Sequence, residues 1–135
     1  MGFLDSMKCN QIGTKAYRTH VAAMQLRRNG KYAEAEQKLN EAIDMYKQAY
    51  ELGYRKTAAL QGFALLLMRR GEFERAREIM LECSKDKQMS PDDRFSLRVD
   101  FSICQWKLGK LDKAIETMRS AAQAKMNGTV YTTLG

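Results

Sequence analysis

Gly30-Lys31-Tyr32-Ala33-Glu34-Ala35, Gly71-Glu72-Phe73-Glu74-Arg75-Ala76 and Gly109-Lys110-Leu111-Asp112-Lys113-Ala114 decide the fold of this chain. Each reads glycine, a charged residue, a large apolar residue, two further residues, and alanine. Glycine just past a helix adopts a positive φ, which ends the helix and turns the chain. Basic residues stand just before each glycine: Arg27 and Arg28, Arg69 and Arg70, and Lys107. That is where the negative end of a helix dipole favours them. A second helix restarts almost at once, so the two helices of each unit must pack antiparallel. Tyr32, Phe73 and Leu111 are expected to fill the space beneath the turn. Ala35, Ala76 and Ala114 are expected to let the paired helices approach closely, where a larger side chain would overpack.

Outward from these turns the pattern stays helical. The second helix of each unit carries apolar residues three and four apart: Tyr32, Ala35, Leu39, Ala42, Ile43 and Tyr46; then Phe73, Ala76, Ile79, Met80 and Cys83; then Leu111, Ala114, Ile115, Met118, Ala121 and Ala122. Such spacing places each set on one face. Gly53 is expected to end the first pair and Asn127-Gly128 the third. Ser90-Pro91-Asp92-Asp93 reads as a helix start, with Ser90 as N-cap, Pro91 in the first helical position and the two aspartates at the positive end of the dipole. Pro91 is the only proline. Ala, Leu, Met, Glu, Lys, Arg and Gln, which lose little on entering a helix, are abundant.

The repeated unit resembles the tetratricopeptide repeat (TPR), a helix–turn–helix of about 34 residues with an aromatic-x-x-Leu-Gly opening. Tyr131-Thr132-Thr133-Leu134-Gly135 fits that opening, and the small residue of the signature stands at Ala23, Ala64 and Ser102. The resemblance covers Thr14 to Gly135. It implies an all-α fold: a right-handed α-α superhelix, or solenoid, of about three TPR-like repeats plus the start of a fourth. Within one domain spanning 1–135, repeat 1 covers about 14–53, repeat 2 about 54–89, repeat 3 about 90–127, and a truncated repeat 4 starts from 129. The chain departs from the family's period: 41 residues separate Gly30 from Gly71, and 38 separate Gly71 from Gly109. The added residues are expected in longer helices and linkers, around Asp44 to Leu52 and Ser84 to Ser90. Thr19, Leu60 and Arg98 stand where the opening aromatic belongs. The last apolar residues, Val130, Tyr131 and Leu134, read as a helix face without a following partner, expected either to fray or to be covered by a second copy in a homodimer.

In this family the first helix of each pair lines a concave groove. The resemblance therefore implies a protein-binding groove carrying Tyr17, His20, Met24 and Arg27, then Gln61, Leu65 and Met68, then Ile103 and Trp106, with Ala58, Ser96 and Val99 at neighbouring positions. The Lys, Asn and Arg clamp by which family members hold acidic chaperone tails is absent, because the matching places are mostly apolar. The expected partner is a protein or peptide: an amphipathic or hydrophobic segment with some acidic residues. Leu65 and Met68 read equally well as core, since Leu60 to Met68 is apolar on nearly every face. Trp106 is placed in the groove because Phe101 and Leu108 occupy the other face of its helix. Phe3, Leu4, Met7 and Ile12 are expected to form a short helix lying in the groove or starting the stack.

Composition narrows the alternatives. An apolar fraction of 44% with 29% charged residues is that of a globular chain. The net charge of +7 raises nucleic-acid binding as the rival function. The basic residues form no run, however, and are read as a solvated surface rich in lysine. A regulatory or assembly domain of a larger protein is the third reading. His20 is the only histidine and Cys9, Cys83 and Cys104 the only cysteines. Their spacing fits neither a disulfide framework nor a zinc site, so Cys83 and Cys104 are expected to be reduced core thiols and no metal or cofactor is expected. No nucleophile–base motif, phosphate loop or carboxylate pair is present, so no enzymatic activity and no small-molecule substrate are expected. No apolar run approaches the roughly 20 residues of a membrane span. Met1 to Asn10 lacks a secretory pattern, and a cytoplasmic location is expected. Met1-Gly2-Phe3-Leu4-Asp5-Ser6 matches the loose myristoylation pattern, which short sequences meet by chance.

Overall fold

The computed structural model describes residues 2–134, with side chains for 2–127. The described residues are all-α and form six helices: α1 (Phe3–Arg28), α2 (Tyr32–Glu51), α3 (Thr57–Arg69), α4 (Phe73–Cys83), α5 (Pro91–Lys107) and α6 (Leu111–Leu134). The chain packs as two compact units, Met1–Leu66 and Leu67–Gly135, whose boundary falls inside α3.

The three repeated turns share one geometry. Gly30, Gly71 and Gly109 have φ of 80°, 79° and 83°, and Gly53, which ends α2, has 101°. In each turn the glycine amide donates to the carbonyl three residues back, and the next amide donates to the carbonyl five back. Lys31 thus bonds Leu26 at 2.9 Å, Tyr54 bonds Ala49 at 2.9 Å, Glu72 bonds Leu67 at 2.9 Å and Lys110 bonds Gln105 at 2.8 Å. This pair of bonds satisfies carbonyls that the helix end leaves open, and it requires a left-handed residue. A side chain at Gly30, Gly71 or Gly109 would meet nothing within 4 Å, so backbone conformation alone demands glycine there.

In the first unit, α1 and α2 pack against each other across the Gly30 turn. The buried residues of α1 are Cys9, Gly13, Ala16 and Ala23, all small, and α2 buries Ala35, Leu39, Ala42, Ile43, Tyr46 and Ala49. The fit is closest at Gly13, where an added Cβ would fall within the Tyr54 ring. Tyr54, the residue after Gly53, is itself buried. Tyr46 stacks on Phe63 of α3, with centroids 5.3 Å apart. Arg55 closes the α2–α3 connection by donating to the carbonyls of Tyr50 (2.8 Å) and Tyr54 (2.7 Å), its guanidinium lying over the Tyr50 ring.

In the second unit, α4 packs on α5 and α5 on α6. Ser90 caps α5 by accepting from the Asp93 amide at 3.1 Å, with Pro91 in the first turn. The linker before it is held by Arg94, whose guanidinium donates to the Asp86 carbonyl at 2.6 Å. α2 runs helically through Asp44 to Glu51, and residues 84–90 join α4 to α5. Ala76, Ile79, Met80, Cys83, Leu97, Cys104, Ala114 and Ala121 are buried.

Four expectations are corrected. Tyr32 is 64% exposed and Leu111 54% exposed, so neither fills the space beneath its turn, and Phe73 is half-buried. Of the expected α6 stripe only Ala114 and Ala121 are buried, while Leu111, Ile115 and Met118 face outward. Phe3, Leu4, Met7 and Ile12 form no separate short helix: they open α1, which runs unbroken through Gly13. Asn127-Gly128 does not end a helix either, since α6 continues to Leu134. The expected fourth-repeat opening at Tyr131 to Gly135, the apolar face of Val130, Tyr131 and Leu134, and Met1 of the acylation pattern lie outside the residues whose side chains are described.

Candidate interaction surface

The small buried residues of α1 fix which way its larger ones point. With Cys9, Gly13, Ala16 and Ala23 turned inward, Tyr17, Val21 and Met24 stand exposed at spacings of four and three, on a single outward face. Val21 is 52% exposed and was not among the expected groove residues. Its signal was present in the sequence as the alternation of three- and four-residue steps through Tyr17, Val21 and Met24.

His20 does not join that face. It is half-buried, and Nδ1 lies 3.2 Å from the Tyr46 hydroxyl. The two rings meet edge to face at 6.1 Å. A Cβ added to Gly62 of α3 would come within 3.1 Å of the same Nδ1. One side chain of α1 thus meets α2 and α3 together, and the absence of a side chain at Gly62 makes the room. Burial lowers the pKa of His20 below the ordinary 6.5. Burial also pushes the Tyr46 phenol well above its usual value, helped by Tyr17 and Tyr54. This pair is a packed polar contact of neutral groups.

The remaining candidates divide between exposed and packed. Arg27, Gln61 and Met68 are half-buried. Leu65 is exposed although Leu60, Phe63, Ala64, Leu66 and Leu67 of the same helix are buried. Ile103 and Trp106 are exposed on one face of α5. Trp106, 54% exposed, carries the ammonium of Lys107 4.6 Å from its ring centroid. The intervening residues turn inward: Cys104 is buried, and so is Gln105, whose amide oxygen accepts from the Thr117 hydroxyl at 2.7 Å. Ala35, Ala76 and Ala114 are buried, and Gly30, Gly71 and Gly109 have the positive φ their turns need.

The thiols are poor nucleophiles in the folded chain. Cys9, Cys83 and Cys104 are buried and form no disulfide. Burial, followed by the charge of Glu82, pushes Cys83 up to about 12. Burial, followed by Asp100, pushes Cys104 up to about 11. Among the described residues no group of three or more His, Cys, Asp or Glu side chains is placed to hold a metal ion. No helix among them is long and apolar enough to cross a membrane. No known family model matches the sequence, and no curated protein matches it.

Proposed function

We propose that the chain is a protein–protein interaction scaffold built from tetratricopeptide-type helical pairs, binding a helix or peptide of a partner protein. The observation that carries this reading is the outward face of α1, where Tyr17, Val21 and Met24 lie exposed in register while the helix buries only small residues. Contiguous apolar surface that the fold does not consume is the usual mark of a binding surface. Trp106 and Ile103 repeat the feature on α5, and tryptophan is a frequent anchor of protein interfaces. The shared turn geometry and the buried alanines after each turn glycine support the repeat assignment. The +7 charge favours partner segments with acidic residues beside their apolar anchors.

Affinity capture tests the proposal. The native chain is compared with Val21→Glu and Trp106→Ala variants after nuclease treatment, each first shown to keep its helical content. Captured proteins are then purified and titrated against the same three chains. Partners whose affinity falls at least tenfold for one variant support the scaffold reading. Equal affinity for all three chains overturns it, and retention of nucleic acid in place of protein moves the basic surface to the front.

A further inference from the structure

The outward stripe of α1 is longer than the three residues named above. Phe3, Met7, Asn10, Thr14, Tyr17, Val21 and Met24 follow one another at alternating steps of four and three residues. All are exposed except Thr14, which is half-buried. An alternation averaging 3.5 residues keeps a face aligned with a second helix lying alongside it. The stripe has the length of about three heptads, roughly 30 Å of helix. It lies entirely within the first compact unit.

The charge on this helix is one-sided. α1 carries Lys8, Lys15, Arg18, Arg27 and Arg28 against Asp5 alone, so +4 of the chain's +7 resides here. Lys8, Lys15 and Arg18 each follow a stripe residue directly, after Met7, Thr14 and Tyr17. At about 100° per residue, Arg18 borders the stripe on the side away from the buried residues, and Lys15 and Lys8 stand further round the helix on that side. All three are exposed, and none forms an ion pair with another described residue.

These facts select among occupants. A second copy pairing through the same helix would set +4 against +4. A bilayer would take an unbroken apolar face, yet Asn10 and Thr14 interrupt this one near its middle. A partner helix tolerates such an interruption, because polar residues within a seam fix its register. We propose that the outward face of α1 docks an acidic amphipathic helix about three heptads long, lying along α1 from Phe3 to Met24, with its carboxylates drawn to the basic side of α1 that begins at Arg18. The inference rests on the interaction reading above and adds to it the fold, length and charge of the partner segment.

A labelled synthetic helix tests it. The probe has about three heptads, with leucine at the seam and glutamate at the flanks. Its counterpart carries lysine in place of every glutamate, and vesicles of phosphatidylcholine and phosphatidylserine serve as the lipid arm. Binding to the full chain is followed by fluorescence anisotropy. The glutamate probe is expected to bind about tenfold tighter than the lysine probe, from the net +4 of α1 acting through exposed charges of modest strength each. The double variant Lys15→Glu, Arg18→Glu is expected to invert that preference, and Val21→Glu to abolish binding of both probes. All substituted positions are exposed, and unchanged helical ellipticity verifies the fold. Equal binding of the two probes, binding of neither, or binding that survives Val21→Glu overturns the proposal, as does binding of vesicles without binding of the glutamate probe. A natural partner that is lost with Val21→Glu but indifferent to the charge reversal also overturns it, while leaving the scaffold reading in place.

Discussion

Replacing Gly13 by alanine sets two effects of opposite sign against each other. Alanine in the interior of a helix is favoured over glycine by about 1 kcal/mol. Gly13 lies deep within α1, so that gain applies in full. Against it stands the ring of Tyr54, which occupies the place the new methyl would take. Tyr54 is only 4% exposed, so its ring is packed among neighbours. Either α1 moves away from its neighbours, at an overpacking cost of about 1–3 kcal/mol, or Tyr54 leaves its site and forfeits a burial term of about 1.5–3 kcal/mol. At the middle of these ranges, a cost of about 2 kcal/mol against a gain of about 1 kcal/mol, Gly13→Ala is expected to destabilise the first unit by about 1 kcal/mol, a fall of about 0.5 M in urea midpoint. The diagnostic is the cycle with Tyr54→Val, which removes the colliding ring atoms. In that background the propensity gain stands alone, and the same Gly13→Ala is expected to stabilise by about 1 kcal/mol. Urea titration of the four chains by far-ultraviolet ellipticity measures all the terms. A Gly13→Ala chain as stable as the native one, or an effect unchanged by Tyr54→Val, refutes the reasoning.

Three further outcomes follow from the same structure. Ala76, fully buried in the close approach after the Gly71 turn, is expected to lose about 1–3 kcal/mol on replacement by leucine, read from the urea midpoint, whereas Leu111→Ala at an exposed turn position should change it little. His20 is held neutral, with its folded pKa below the unfolded 6.5, so its contribution is fully present above that value and is lost as pH falls through it. Between about pH 7.5 and 5.5 the native midpoint should therefore drop, and a His20→Gln chain should show a flatter profile. The thiols of Cys83 and Cys104, pushed up to about 12 and about 11, should resist a disulfide reagent in the folded chain at mildly alkaline pH and react at once in denaturant; rapid labelling without denaturant would contradict their burial.

The turns were legible because they are local. A positive φ after a helix is a property of one glycine and its neighbours in sequence, and Gly30, Gly53, Gly71 and Gly109 all met it. The cap at Ser90 and the helical run of α2 through Glu51 were equally local. Exposure is different, since it depends on which helices crowd a given face. Tyr32 and Leu111 occupy the same place in the pattern as Phe73, and all three lie on the apolar stripes of their helices. Yet two point largely into solvent while Phe73 is half-buried, although a buried alanine follows each of them. Periodicity states that a residue belongs to an apolar face, but not how far around the helix the buried part of that face extends.

The candidate surface shows the same limit from the other side. The family resemblance, counted along the helix in steps of three or four residues, placed Tyr17, His20 and Met24 together. The structure separates them, because His20 turns to meet Tyr46 and Gly62, and Val21 takes the outward place between the other two. What rotates the helix to that setting is the line of small residues Cys9, Gly13, Ala16 and Ala23, and above all Gly13, against which Tyr54 packs. Tyr54 stands in the turn after α2, far from α1 in sequence, so nothing within α1 announces which of its glycine and alanine positions faces inward. The rotation that buries the small residues is also the rotation that exposes the large ones. A helix whose inner line is small and whose outer line is large has its packing and its free surface set by one contact, so displacing Tyr54 with Gly13→Ala should disturb the outward face as well as the core. In the probe assay, Gly13→Ala is expected to weaken binding of the acidic helix although no residue of the docking strip is changed.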